Sequence, residues 1–141
     1  MIIVVSGGFD PLHSGHINMF KQANELGPVW LLLNTDEWLQ KKKGYNFLSY
    51  KEREIILTSN RFIDRVIKAT DKDDTVVNNL KEFVKNGLEF AFANGGDRIP
   101  TTTPEMAYCF EHNIPMLFNI GGVKTESSSK IIRNLLDQAT K

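Results

Sequence analysis

Short apolar runs alternate along this chain with longer segments in which apolar residues recur every three or four positions. The runs fall at 2–6, 28–34, 88–93 and 115–120, and they lack the polar alternation of a half-exposed strand, so they read as strands covered on both faces. The helical period runs from Ser14 to Leu26, where Gly27 closes it, and over 49–60, where Ser49 and Glu52 stand at capping-box spacing ahead of Ile55, Ile56 and Leu57. Further helices are predicted over Thr75 to Asn86, Pro104 to Asn113 and Ser127 to Ala139, with a short strand near Arg65 to Lys68. Strands alternating with helices through short connections predict an α/β fold, a doubly wound parallel five-stranded sheet with helices on both faces. One segment, Gln40 to Leu48, contains Lys41-Lys42-Lys43-Gly44, shows no period and reads as a mobile flap.

Ligands bind such sheets at the carboxyl ends of the strands. The polar chemistry falls there: Gly7 to His16 after the first strand, Asn34-Thr35-Asp36 after the second, Asn94-Gly95-Gly96-Asp97 after the fourth, Lys124 to Ser129 after the last. In the first segment Gly7, Gly8 and Gly15 let backbone N–H groups approach an anion, and the next helix adds unsatisfied donors and a positive dipole end. His13 and His16, three residues apart, can hydrogen-bond charge developing on phosphorus. A glycine-rich turn with two surface histidines is the plainer alternative. Ser127, Ser128 and Ser129 offer hydroxyls at a helix start, for phosphate oxygens or simply as a cap. Gly95 and Gly96 let the backbone pass a flat ligand and Asp97 can accept from hydroxyls or an amine, although a turn needs the same glycines. Asp36 either faces a second substrate or caps the following helix, Asp10 supports the turn or orients a histidine, and His112 reads as a surface residue.

With 141 residues the chain is sized for one domain, 1–141. Apolar residues at 41%, charged residues at 24% and zero formal charge leave no case for disorder or a polyanion-binding face, so nucleic acid is not an expected partner. A lone cysteine, Cys109, cannot form an internal disulfide, fits a reducing compartment and reads as a small core residue. No apolar run nears the roughly 20 residues of a membrane span, and the opening run is too short for a signal-peptide core, so a cytoplasmic protein without membrane contact is expected.

Gly7-Gly8-Phe9-Asp10-Pro11-Leu12-His13-Ser14-Gly15-His16 resembles the HxGH element of the nucleotidyltransferase superfamily, with His13, Gly15 and His16 on its fixed positions and Asp10 matching the motif. Glu126-Ser127-Ser128-Ser129-Lys130 is similar to the superfamily's ISSTxIR or ISTTKI element, although Glu126 replaces an apolar residue and Arg133 lies one place beyond the expected arginine. Tyr50-Lys51-Glu52-Arg53 and Arg61-Phe62-Ile63-Asp64-Arg65-Val66 resemble the segment around the RYVDEV element of cytidylyltransferases that use small phosphorylated alcohols, such as glycerol-3-phosphate cytidylyltransferase. Gly95-Gly96-Asp97 is instead similar to the nucleotidyltransferase domain of ADP-heptose synthase. The likeness covers nearly the whole chain and implies a Rossmann-like cytidylyltransferase fold that acts as a homodimer.

The resemblance implies roles. His13 and His16 would stabilise the α-phosphoryl transition state with Lys42 adding charge, and Ser128, counted with them as catalytic, would hold the β and γ phosphates with its neighbours. Gly7, Gly8, Phe9, Asp10, Gly15, Gly95, Asp97 and Ser127 to Ser129 would bind the nucleotide, while Arg53 and Arg61, oriented by Asp64, would bind a small phosphorylated acceptor beside Asp36. Mg²⁺ would arrive on the nucleoside triphosphate, because no carboxylate cluster at metal-ligand spacing is present. The absence of GxxxxGK[ST] argues against a P-loop kinase. Cytidylyl transfer is expected first. Adenylyl transfer to a sugar phosphate, or a regulatory domain that binds nucleotide without turnover, are the alternatives.

Overall fold

The computed structural model describes residues 1–71, 73–95, 103–121 and 128–140. In chain order the elements are β1 (Ile2–Gly7), α1 (Ser14–Leu26), β2 (Val29–Leu33), α2 (Asp36–Lys43), α3 (Tyr50–Thr58), β3 (Arg65–Lys68), α4 (Val77–Lys85), β4 (Phe90–Gly95), α5 (Pro104–Glu111), β5 (Met116–Ile120) and α6 (Ser128–Ala139). All strand pairs are parallel, in the spatial order β3-β2-β1-β4-β5. The chain winds outward from β1 to β3, then crosses back to place β4 on the other side of β1. The switch point therefore lies between β1 and β4, where such sheets open a crevice at their carboxyl ends.

Each strand divides its side chains between two apolar layers, which is why no alternation is visible in the sequence. Ile3, Val5, Leu31, Leu33, Ala91 and Ala93 face Phe20 and Ala23 of α1 and Leu57 of α3. Val4, Leu32, Phe90 and Phe92 face Leu80 and Phe83 of α4 and Tyr108 and Cys109 of α5. β4 thus turns alanines to one layer and phenylalanine rings to the other. Cys109 is fully buried among these rings, as expected of it, and burial, with Glu105 adding negative potential, pushes its thiol up to about 11.

The flap expected over Gln40 to Leu48 is corrected by the structure, because Lys41, Lys42 and Lys43 form the last turn of α2. Thr35 caps that helix by accepting from the Trp38 N–H at 3.2 Å, Asp36 and Glu37 occupy its first turn, and Gly44 ends it in the left-handed region at φ 83°. The helix went unseen because it buries a single side chain, Leu39, and so shows no apolar period. The loop after it is anchored: the Phe47 N–H and the Leu48 N–H (2.7 Å) donate to the buried Asp10 carboxylate, and Gln40 Nε2 donates to Asn46 Oδ1 at 2.7 Å. Gly27 ends α1 as expected, but in an extended conformation, and what requires glycine there is the Met1 carbonyl oxygen, 2.0 Å from where a Cβ would stand. Among the described residues no helix is long and apolar enough to cross a membrane.

Candidate active site

At the carboxyl end of β1 the chain passes straight from the sheet into the turn that starts α1. His13 is the N-cap of that helix, and its Nδ1 accepts from the Gly15 N–H at 3.1 Å. His16 Nδ1 in turn accepts from the His13 N–H at 3.2 Å, so the two imidazoles form a reciprocal capping box. The rings stack, with centroids 3.7 Å apart and planes 27° from parallel. A neutral imidazole that accepts at Nδ1 carries its proton on Nε2, so backbone geometry assigns the same tautomer to both rings. That form donates from Nε2, which suits it to a phosphate oxygen.

The residues around the pair make structural contacts of their own. The Gly15 N–H, expected to meet an anion, donates to His13 instead. Phe9, held at φ 51°, is buried; its ring stands edge-on to His16 at 4.9 Å and to Phe20 at 5.3 Å, backing the His16 ring with the core. Gly8 answers to packing, since a Cβ there would lie 2.5 Å from Leu39 Cδ2 of α2, and one at Gly7 would press on the Phe9 ring at 3.1 Å. Asp10 is 1% exposed and holds the 44–48 loop, so it supports the turn rather than touching a ligand.

The carboxyl ends of β2 and β3 carry carboxylates. Asp71, which sequence reasoning missed, accepts from Asn34 Nδ2 at 2.9 Å, from the Thr35 N–H at 2.8 Å and from Thr35 Oγ1 at 2.9 Å. Its signal was positional: it lies just after β3, separated from Lys68 by Ala69 and Thr70, at the carboxyl edge of the sheet where polar residues had already been sought after every other strand. Asp36 pairs with Arg53, its Oδ1 accepting from Nη2 at 2.8 Å. The acceptor role expected of Arg53 is corrected, because its side chain is fully buried and bonded to the protein itself.

Arg61 and Asp64 stand at the wrong end of the sheet for the role expected of them. The Asp64 N–H donates to the Val29 carbonyl, and Arg65 registers with Trp30, so both residues lie before the start of β3. The histidine turn follows the opposite ends of the strands, roughly 13 Å away along their rise. Asp64 instead accepts from Trp30 Nε1 at 3.0 Å, and the Arg61 guanidinium covers the Phe62 ring at 4.8 Å. Within one copy of the chain neither residue reaches the histidines. Lys42 is exposed on α2 with Nζ 6.0 Å from the Trp38 ring, and no contact ties it to the histidine turn.

Gly95 ends β4 opposite Ile120 of β5, which puts it at the switch point as expected. Ser128 and Ser129 begin α6, while Asp97 and Ser127 lie outside the described residues. His112 is exposed at the end of α5, stacked on Tyr108 at 4.0 Å, in keeping with a surface residue.

A family model described as cytidylyltransferase-like matches residues 4–134. Glycerol-3-phosphate cytidylyltransferase of Bacillus subtilis is 33% identical over 87 residues, which are 58% of this chain and 67% of that enzyme. The bifunctional protein HldE of Syntrophotalea carbinolica is 27% identical over 142 residues, covering 97% of this chain and 27% of that protein. Among solved structures, a lipopolysaccharide core biosynthesis protein from Thermoplasma volcanium shares the fold with a TM-score of 0.67 at 16% identity, over 90% of this chain and 98% of that one.

Proposed function

As this chain belongs to the cytidylyltransferase-like family of nucleotidyltransferases, we propose that it moves CMP from CTP onto a small phosphorylated polyol such as glycerol 3-phosphate, as one catalytic domain working in a homodimer. An oxygen of the acceptor phosphate attacks the α-phosphorus in line. The bond from that phosphorus to the bridging oxygen breaks, and pyrophosphate leaves. The acceptor phosphate is ionised at neutral pH, so no general base is required, and the protein supplies position and charge.

The observation that carries this reading is the interlocked histidine pair at the switch point, each Nδ1 held by a backbone N–H. Its Nε2 protons would donate to the α-phosphoryl oxygens as their charge grows. Ser128 and Ser129 at the start of α6, with Ser127 preceding them in the sequence, would take the β and γ phosphates, with Lys42 as a mobile cation. Mg²⁺ would enter as part of the triphosphate substrate; among the described residues no group of three or more His, Cys, Asp or Glu is placed to hold a metal ion. Asp36 and Asp71 place carboxylate oxygens on the β2 side, which suit the hydroxyls of a polyol.

Pyrophosphate release measured over a panel of triphosphates and phosphorylated acceptors tests the proposal. CTP with glycerol 3-phosphate should show the highest kcat/KM. Adenylyl transfer to a sugar phosphate is the second reading, favoured by the match to HldE over 97% of this chain and by the likeness of Gly95-Gly96-Asp97 to the heptose enzyme's element. A higher kcat/KM for ATP with a sugar 1-phosphate would establish it. No release with any pair would leave a nucleotide-binding regulatory domain.

A further inference from the structure

Val66 and Ile67 of β3 face opposite apolar layers, and Lys68, the next residue, returns to the layer that Val66 shares with α1 and α3. Its Cα stands in one register row with Leu33 of β2 and Gly7 of β1, the row from which the histidine turn leaves the sheet. Lys68 therefore lies at the edge that carries the histidines, on the face that α1 covers. Its backbone is pinned by the buried Asn79, whose Nδ2 donates to the Lys68 carbonyl at 3.3 Å and whose Oδ1 accepts from the Thr70 N–H at 2.9 Å. The side chain is exposed, and its ammonium lies 5.4 Å from the centre of the Tyr50 ring. Burial and the Glu54 carboxylate push the Tyr50 hydroxyl up to about 12, so the ring is a neutral platform for the cation.

The carboxylates on this edge answer to other groups. Asp36 pairs with Arg53 at 2.8 Å, and Asp71 accepts through both oxygens from Asn34 and Thr35. Among the described residues no ion pair includes Lys68. Since β3 lies two strands from β1, roughly 10 Å away, and the ammonium rests on Tyr50, this charge stands too far over for the phosphate that reacts at the histidines. It is placed for the other end of an acceptor laid across β2. One ammonium balances the single charge of a carboxylate, whereas a second phosphate brings nearly two. We infer that Lys68 is a specificity-determining residue for the acceptor: it admits phosphorylated hydroxy acids, whose far end is a carboxylate, alongside polyol phosphates whose far end is neutral. The inference rests on the proposed transfer to a small phosphorylated acceptor.

Pyrophosphate release from CTP, and in parallel from ATP, tests it with two matched pairs of acceptors: glycerol 3-phosphate against 3-phosphoglycerate, and erythritol 4-phosphate against 4-phosphoerythronate. Within a pair only the end away from the phosphate differs. In the wild-type protein, kcat/KM for the acid of at least one pair should come within about tenfold of that for its polyol. Lys68→Met should lower that acid-to-polyol ratio by about tenfold or more, the loss expected when a hydrogen bond between charged groups goes. Lys68→Arg keeps the charge and should hold the ratio within about threefold of wild type. Because the side chain is exposed, neither variant disturbs the core. A ratio unmoved by Lys68→Met, a ratio in Lys68→Arg as low as in Lys68→Met, or a wild-type protein that turns over the polyols and neither acid would each overturn the inference alone. A wild-type protein that releases no pyrophosphate with any acceptor overturns the proposed function along with it.

Discussion

His13 and His16 have two duties that ordinary alanine substitution would confuse. Each ring accepts a backbone N–H that starts α1, and each is proposed to donate to phosphate from its other nitrogen. Losing the cap costs about 1 kcal/mol of stability. Losing a donor aimed at transition-state charge costs about 10²–10³ in turnover. His13→Asn keeps an acceptor for the Gly15 N–H and removes the imidazole, so its melting temperature should stay closer to wild type than that of His13→Ala while both lose the same turnover. Near-normal kcat in His13→Asn would remove the histidine from the chemistry. Gly8 sits at the same turn for a packing reason. Gly8→Ala puts a methyl 2.5 Å from Leu39 Cδ2, and overpacking of this kind costs about 1–3 kcal/mol. Urea unfolding should show that loss, and it should shrink when Leu39→Val makes room.

At the scale of elements, α2 and the loop after it behave as one braced unit rather than a flap. Leu39 pins the helix against Gly8, the Lys41 ammonium pairs with Asp74 at 2.6 Å, and Trp38 Nε1 donates to the Asp74 carbonyl at 2.9 Å. The exposed ion pair contributes little, whereas the Asp10 carboxylate under the loop is buried and bonded to two amides. Amide exchange at Phe47 and Leu48 should therefore already be slow without nucleotide. Asp10→Ala leaves both donors unsatisfied, which costs about 1–3 kcal/mol for each that stays buried, so these two amides should exchange faster than the rest of the edge. Fast exchange in the wild-type protein would restore the flap.

For the molecule as a whole, one buried acid and one half-buried acid tie stability to pH. Cys109 is pushed up to about 11 from 9.0 by burial and by Glu105, and Tyr50 to about 12 from 10.0 by burial and by Glu54. Each holds its proton more tightly folded than unfolded. The stabilisation is thus complete below the unfolded value and is lost as pH rises through the folded one. The melting temperature should be indifferent to these groups near neutrality, begin to fall near pH 9 as unfolded Cys109 ionises, and fall further above pH 10 as Tyr50 joins. Cys109→Ala should flatten the first part of that limb, and an unchanged limb would assign the alkaline loss elsewhere.

Much of this was legible before any coordinates. Both faces of the sheet are covered, so its strands had to be continuous apolar runs, and Ile2 to Val5 and Val29 to Leu33 could be read at sight. The histidine turn was equally legible because all its chemistry lies within ten consecutive residues of a strand-turn-helix. Sequence could not show α2, which buries only Leu39, nor the fates of the arginines. Arg53 and Arg61 are eight positions apart and look alike as exposed-helix charges, yet one is locked beneath the carboxyl edge of the sheet and the other lies at the far end. A local pattern fixes the conformation of a segment through its own period and caps. Which end of the sheet a residue occupies depends on strand register and crossover direction, and whether a charge is buried depends on carbonyls from distant segments converging on it. Those are properties of the assembled sheet, and for Asp10, Arg53, Asp71 and Arg61 only the tertiary structure decided them.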